Sequence, residues 1–178
     1  MQNKFCKVPL TECTRTLVDV ATGRRPADLV IRGAKLVNVC TRELLDGCDV
    51  AVACGRIAAV GDVSASVGEG TTVIDATGKY LAPAFLDGHI HIESSMLTAR
   101  EYARAVIPHG TAGIYYDPHE ICNVLGLDGV RYMMEDAAMT PLKAMMTTPS
   151  CVPAVPGFED TGAKIDASDV AETMTWDG

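Results

Sequence analysis

Hydrophobic and polar positions along the chain change period twice. Residues 10 to 20 carry apolar side chains at helical spacing, and Gly23 and Pro26 follow as stop signals. From Asp28 the spacing shortens. "DLVIRGAKLVNV", "CDVAVACGRIAAVGD" and "TTVIDATGKYLAPAF" are short runs rich in valine, isoleucine and alanine, interrupted at Gly33, Gly47, Gly55 and Gly61. Such runs predict strands joined by tight turns, with Arg32-Gly33-Ala34 and Cys54-Gly55-Arg56 as hairpin turns, because glycine reaches the positive φ these turns need. After about Leu81 the pattern becomes strand then helix, three times over. "LAPAFLDGHIH", "TAGIYYD" and "PLKAMMTT" predict strands; "AREYARAVI", "NVLGLDGVRYMMEDAAM" and "ASDVAETMTW" predict the helices after them. Thr98 and Glu101 are spaced as a capping box for the first of these helices.

The strand openings at Leu81, Thr111 and Leu142 lie 30 and 31 residues apart, the length of a βα unit, so three parallel strands are expected. The fold class is therefore α/β. An N-terminal appendage (1–26) precedes a small β-sandwich domain (27–81), and the first three βα units of a barrel follow (82–178). A closed (β/α)₈ barrel needs roughly 250 residues. The alternatives are a small open sheet and a fragment of a barrel, and the stop at "TMTWDG" favours the fragment.

Composition narrows the function classes. With 48% hydrophobic and 21% charged residues the chain is that of a globular protein. A net charge of -8 without a basic run argues against nucleic acid as partner. No stretch has the length or apolarity of a membrane span, and no signal peptide opens the chain, so a cytoplasmic protein with a small-molecule partner is expected. Seven cysteines without a C-x-x-C pair fit neither a disulfide framework nor a zinc knuckle. They read as reduced thiols; Cys151, in the proline-rich "PSCVPAVPG", could instead lie near a site.

Candidate chemistry gathers at the ends of the first two strands of the second half. His89 and His91 are two apart, so on a strand both project from one face, about 7 Å apart at Cα. Two imidazoles so placed can share a divalent ion, and the alternative is an incidental pair at a strand end. Asp87-Gly88 before them permits close backbone approach. Asp117, His119 and Glu120 follow the second strand and should share the same rim. Asp117 as N-cap, Pro118 at N1 and Glu120 in the first turn would also serve a helix start, which leaves His119 unexplained. Glu93 could contact substrate or support a ligand histidine, or "ESS" could simply shape a turn. His109 belongs to the opposite end of the sheet and reads as structural. Dinucleotide, P-loop, hydrolase-elbow and cytidine-type deaminase motifs are absent, which leaves metal-assisted hydrolysis among the enzymatic options.

The succession "DLVIRGAKLVNV", "GRIAAVG" and "VIDATGKYLAPAFLDGHIH" resembles the opening of the amidohydrolase superfamily. "HIESSM", "DPHEICNVLGLDGVRYMME" and "PSCVPAVP" are similar to its adenine deaminases and are not shared by hydantoinases or dihydroorotases. The likeness runs from about Leu10 to Ser168. It implies a metal-dependent hydrolase that pairs a β-sandwich with a (β/α)₈ barrel and converts adenine to hypoxanthine and ammonia in purine salvage. It places His89 and His91 as ligands of a binuclear divalent centre, manganese or iron with zinc as a further option, and Glu93, Asp117, His119 and Glu120 as substrate or supporting contacts. The proton shuttle and the remaining ligands are expected beyond residue 178, so the chain alone is expected to be inactive; homo-oligomerisation is left open. Ala84 departs from the superfamily's usual glycine. The rival readings are another cyclic-amide hydrolase of the hydantoinase or dihydroorotase kind, and a non-catalytic truncated product.

Overall fold

The helix expected near the start of the chain is α1, Leu10–Ala21, in the computed structural model, which describes residues 8–176. Cys13, Leu17 and Val20 recur at spacings of four and three, so they fall on one face. That face is no appendage. Val20 is fully buried in a cluster with Ala27, Val30, Ala51, Ala53 and Val63, and Leu17 packs against it. Burying a valine side chain contributes ~1.5–3 kcal/mol, and the buried Cys13 and the packed Leu17 add to it along the same face. Gly23 ends the helix at φ +71, where a Cβ would lie 2.6 Å from that of Ala65.

The chain divides into two compact units, one ending at Pro83 and the other beginning at Ala84. The first holds seven strands: β1 (Leu29–Arg32), β2 (Lys35–Asn38), β3 (Glu43–Leu45), β4 (Asp49–Ala53), β5 (Arg56–Gly61), β6 (Thr72–Asp75) and β7 (Tyr80–Leu81). They form a four-stranded sheet in the order β5-β4-β1-β6 and a three-stranded sheet in the order β3-β2-β7. Cys54-Gly55 makes the expected hairpin, with Ala53 opposite Arg56 and both turn residues at positive φ. Gly33 does not. β1 pairs with β4 and β6 while β2 pairs with β3 and β7, so Gly33, at φ +74, is a corner where the chain changes sheets. Asp49 holds that corner by accepting the Gly33 N–H at 3.0 Å.

The second unit alternates strand and helix. It contains β8 (Phe85–Ile90), α2 (Ala99–Val106), β9 (Thr111–Tyr116), α3 (His119–Leu125), α4 (Leu127–Ala138), β10 (Lys143–Met146) and α5 (Ala167–Thr173). The strands are parallel, in the order β10-β9-β8. The run "LAPAFLDGHIH" is thus split: Tyr80–Leu81 pairs with β2, and a new strand starts at Phe85. The predicted second helix is also split. Gly126 sits at φ +61 and ψ −140, outside helical space, and separates α3 from α4. Thr98 caps α2 by accepting the Glu101 N–H, but the Glu101 carboxylate pairs with Arg104 instead of closing the box. α5 does close one, through Asp166 and Asp169.

Tyr116, Ile114, Ile92, Tyr102, Met133 and Leu142 are buried in one cluster in this unit. The strands end level with one another: Asp117 N–H donates to Ile90 O, and Thr147 N–H to Tyr116 O, both at 2.9 Å. The segments leaving β8, β9 and β10 therefore share one edge, the C-terminal mouth of the sheet.

Candidate metal centre

His89 is the penultimate residue of β8, and His91 follows its last. Period-two geometry brings both rings to one side, and their Nε2 atoms lie 3.1 Å apart with the rings edge to face. Two lone pairs at that distance repel, so either one ring donates to the other or both face a shared cation. After Ile90 the chain turns through a short 3-10 segment, Ile92–Ser95. Ile92 anchors this turn by full burial in the core, which leaves His91 and Glu93 directed to the mouth. Ser95 closes the turn by donating to Ile92 O at 2.6 Å.

Asp117 follows β9 as His91 follows β8. It does not cap α3: Pro118 holds the N-cap position and no side chain makes a cap bond there. Its carboxylate instead joins the two imidazoles. His89, His91 and Asp117 each offer a ligand atom, and the three atoms all lie within 4.8 Å of one another; among the described residues no other group of three does so. Sequence spacing assigned Asp117 to the rim as a helix cap, substrate contact or supporting group. Its place beside the two imidazoles was legible only in the parallel between the two strand ends.

Glu93, His119 and Glu120 surround this triad. Glu120 Oε1 accepts the Ser94 hydroxyl at 2.7 Å, and its Oε2 lies 3.2 Å from His91 Nδ1. Glu93 Oε1 accepts the backbone N–H of Ile121 at 3.3 Å, tying the turn after β8 to the first turn of α3. The His119 ring stands edge to face against His91 at 6.1 Å. His109 lies in a 3-10 turn ahead of β9, at the other end of the strand.

Burial raises the Glu93 carboxyl above the ordinary glutamate value, and its hydrogen bonds offset this only in part. Burial also pushes Glu120 up. There the Ser94 hydroxyl, the residue's own backbone N–H and the adjacent His91 and His119 win, and the net shift is downward.

The donor set fits a divalent cation. Among the described residues, five buried side-chain polar atoms lack a hydrogen-bond partner. Four of them are here: His91 Nδ1 and Glu120 Oε2, which lie 3.2 Å from each other, and Glu93 Oε2 and Asp117 Oδ1. Such atoms are costly unless something neutralises them. Two imidazoles and a carboxylate are ligands that zinc, iron and manganese all accept, and three protein ligands leave positions open for water or substrate.

Comparison with known proteins gives the family. Residues 80–176 match the family model described as the amidohydrolase family. The adenine deaminase of Clostridium botulinum (strain Langeland) is 67% identical over 99% of this chain, and that of Moorella thermoacetica is 59% identical over 96%. The chain spans 30% and 28% of the lengths of these curated relatives. A solved structure of molinate hydrolase superposes on 70% of the chain and 30% of its own, with a TM-score of 0.51 and 18% identity, a likeness of fold.

Proposed function

The chain belongs to the amidohydrolase family, and from that membership we propose that the whole protein is a metal-dependent adenine deaminase, hydrolysing adenine to hypoxanthine and ammonia. The observation that carries this reading is the convergence of His89, His91 and Asp117 beside the unpartnered buried oxygen of Glu93, in a chain whose relatives at 67% and 59% identity are named adenine deaminases. We read the second unit as the first three βα units of a (β/α)₈ barrel, and the two sheets of the first as part of a β-sandwich. In barrels of this kind chemistry sits at the C-terminal mouth, where these residues lie.

In the reaction a water oxygen adds to C6 of the purine, the bond from C6 to the exocyclic nitrogen breaks, and a proton from that water goes to the departing amino group, which leaves as ammonia. A divalent ion at the site, manganese or iron with zinc as the further option, supplies a polarised water near neutral pH. His89, His91 and Asp117 would hold that ion, and a binuclear centre would draw on ligands beyond these three. Glu93 fixes the start of α3 through Ile121, while His119 and Glu120 stand on the rim where the purine would approach. A cytoplasmic role in purine salvage belongs to this reading of the whole protein; the six described cysteines are all free, which is compatible with a reducing compartment.

The test is ammonia release from adenine by the whole protein loaded with manganese, beside His89→Ala, His91→Ala and Asp117→Ala. Activity in the parent and loss of ~10³-fold or more in each variant supports the reading, since an oriented metal supplies several kcal/mol. Full activity in all three variants overturns it. Turnover of a hydantoin or dihydroorotate in place of adenine would support the cyclic-amide rival.

A further inference from the structure

His91 can ligate a cation through Nε2 only if its proton resides on Nδ1. Resting on the metal reading above, we propose that Ser94 and Glu120 form a positioning relay that fixes His91 in this tautomer before any cation arrives. Its Nε2 is thereby presented as a preformed ligand, while His89 is the histidine that changes tautomer when the cation binds.

One hydrogen bond and one close polar approach make up the relay. Ser94 Oγ donates to Glu120 Oε1 at 2.7 Å, which anchors the carboxylate. The other oxygen, Oε2, lies 3.2 Å from His91 Nδ1. That contact falls short of hydrogen-bond alignment, so both atoms are buried with no other partner. With the proton on Nδ1, the positive end of an N–H lies beside a carboxylate oxygen and is attracted to it, although off hydrogen-bond alignment. With the proton on Nε2, two lone pairs would face each other at 3.2 Å in a buried place, each still unsatisfied. The first arrangement wins, because an unpaired buried acceptor loses its solvation and gains nothing in return.

The consequence passes along the pair. If the Nε2 of His91 carries no proton, then the 3.1 Å approach of the two Nε2 atoms requires His89 to donate. In the metal-free chain the two histidines therefore hold opposite tautomers. A cation displaces the His89 Nε2 proton and leaves that of His91 where it was. Ser94 and Glu120 come from different segments, the turn after β8 and the first turn of α3, so the relay also fastens the two strand ends that carry His91 and Asp117.

Two readouts on the full chain test this. The tautomers of His89 and His91 are assigned by long-range ¹H–¹⁵N correlation at mildly alkaline pH, with and without zinc. Cobalt(II) affinity is measured by its visible absorption. The variants are Glu120→Ala, Glu120→Gln, Ser94→Ala and, as a control on the site itself, His89→Ala. The relay predicts Nδ1–H on His91 and Nε2–H on His89 without metal, and a change at His89 alone on adding zinc. Glu120→Ala is expected to release the His91 preference and weaken cobalt binding by ~10–100-fold, the usual effect of removing a partner behind a ligand histidine. Glu120→Gln keeps an oxygen acceptor and should retain the tautomer and most of the affinity; Ser94→Ala should show a smaller loss. Nε2–H on His91 in the parent, or parent-like tautomers and affinity in Glu120→Ala, overturns the relay. A parent chain that takes up no cobalt overturns the metal reading instead, and the metal-free tautomers still decide the relay. If Glu120→Ala does not fold, Ser94→Ala decides by the same two readouts, and unchanged values in it count against the proposal.

Discussion

Replacing Gly129 by alanine should destabilise the second unit, although Gly129 lies inside α4, where alanine is favoured by ~1 kcal/mol. An added Cβ would stand 2.6 Å from the carbonyl oxygen of Ile121 and 3.0 Å from its carbonyl carbon. Ordinary contact begins at 3.4 Å, so the backbone of α3 would have to retreat by about 0.8 Å. Overpacking of this kind costs ~1–3 kcal/mol, and a backbone obstacle belongs at the upper end of that range. Net of helix propensity, a loss of ~1–2 kcal/mol is expected, or ~4–16 °C in the melting temperature of a unit this size. Gly113 is the control: its Cβ would approach Leu86 Cδ2 more closely, at 2.4 Å, but that atom ends a side chain that is 65% exposed and free to rotate. Thermal unfolding followed by circular dichroism should therefore rank Gly129→Ala as the less stable variant despite its smaller overlap. A melting temperature at or above the parent's in Gly129→Ala, or a larger loss in Gly113→Ala, refutes the reasoning. Since the Ile121 N–H holds Glu93 at 3.3 Å, the same substitution should also weaken metal binding.

Burial, with Asp117 the next contributor, pushes the Cys122 thiol up to about 11. At pH 8 it stays protonated and enclosed, so brief alkylation read by mass spectrometry should label the exposed Cys40 and Cys151 first and Cys122 and Cys13 last. Thr98→Ala removes the side-chain acceptor at the start of α2 and should cost about 1 kcal/mol in denaturant unfolding. The 178-residue chain alone, whose described residues contain one three-ligand group, is expected to bind a divalent ion without releasing ammonia from adenine.

Much of the second half was legible because its signals are local and periodic. The strand openings recur at the length of a βα unit, and the histidine pair announces itself by a spacing of two. What escaped depended on partners distant in sequence. Gly33 looks like a hairpin glycine, and nothing near it reveals that β1 and β2 enter different sheets. Gly126 and Gly129 look alike, yet one breaks the helix through its φ and ψ while the other stays helical and lets α3 approach. Asp117-Pro118 has the composition of a helix start, which hid a carboxylate directed at residues 26 and 28 positions earlier. Ser94 looked like a turn residue until Glu120 stood 2.7 Å from it.

The central claim is that His89, His91 and Asp117 hold one ion, and the most direct test is an anomalous-difference map from a manganese-loaded crystal. The account predicts a peak ~2.0–2.3 Å from both Nε2 atoms and from an Asp117 carboxylate oxygen, distances ordinary for such ligands. A map with no peak there, the two histidines bonded only to each other and Asp117 turned aside, would contradict it.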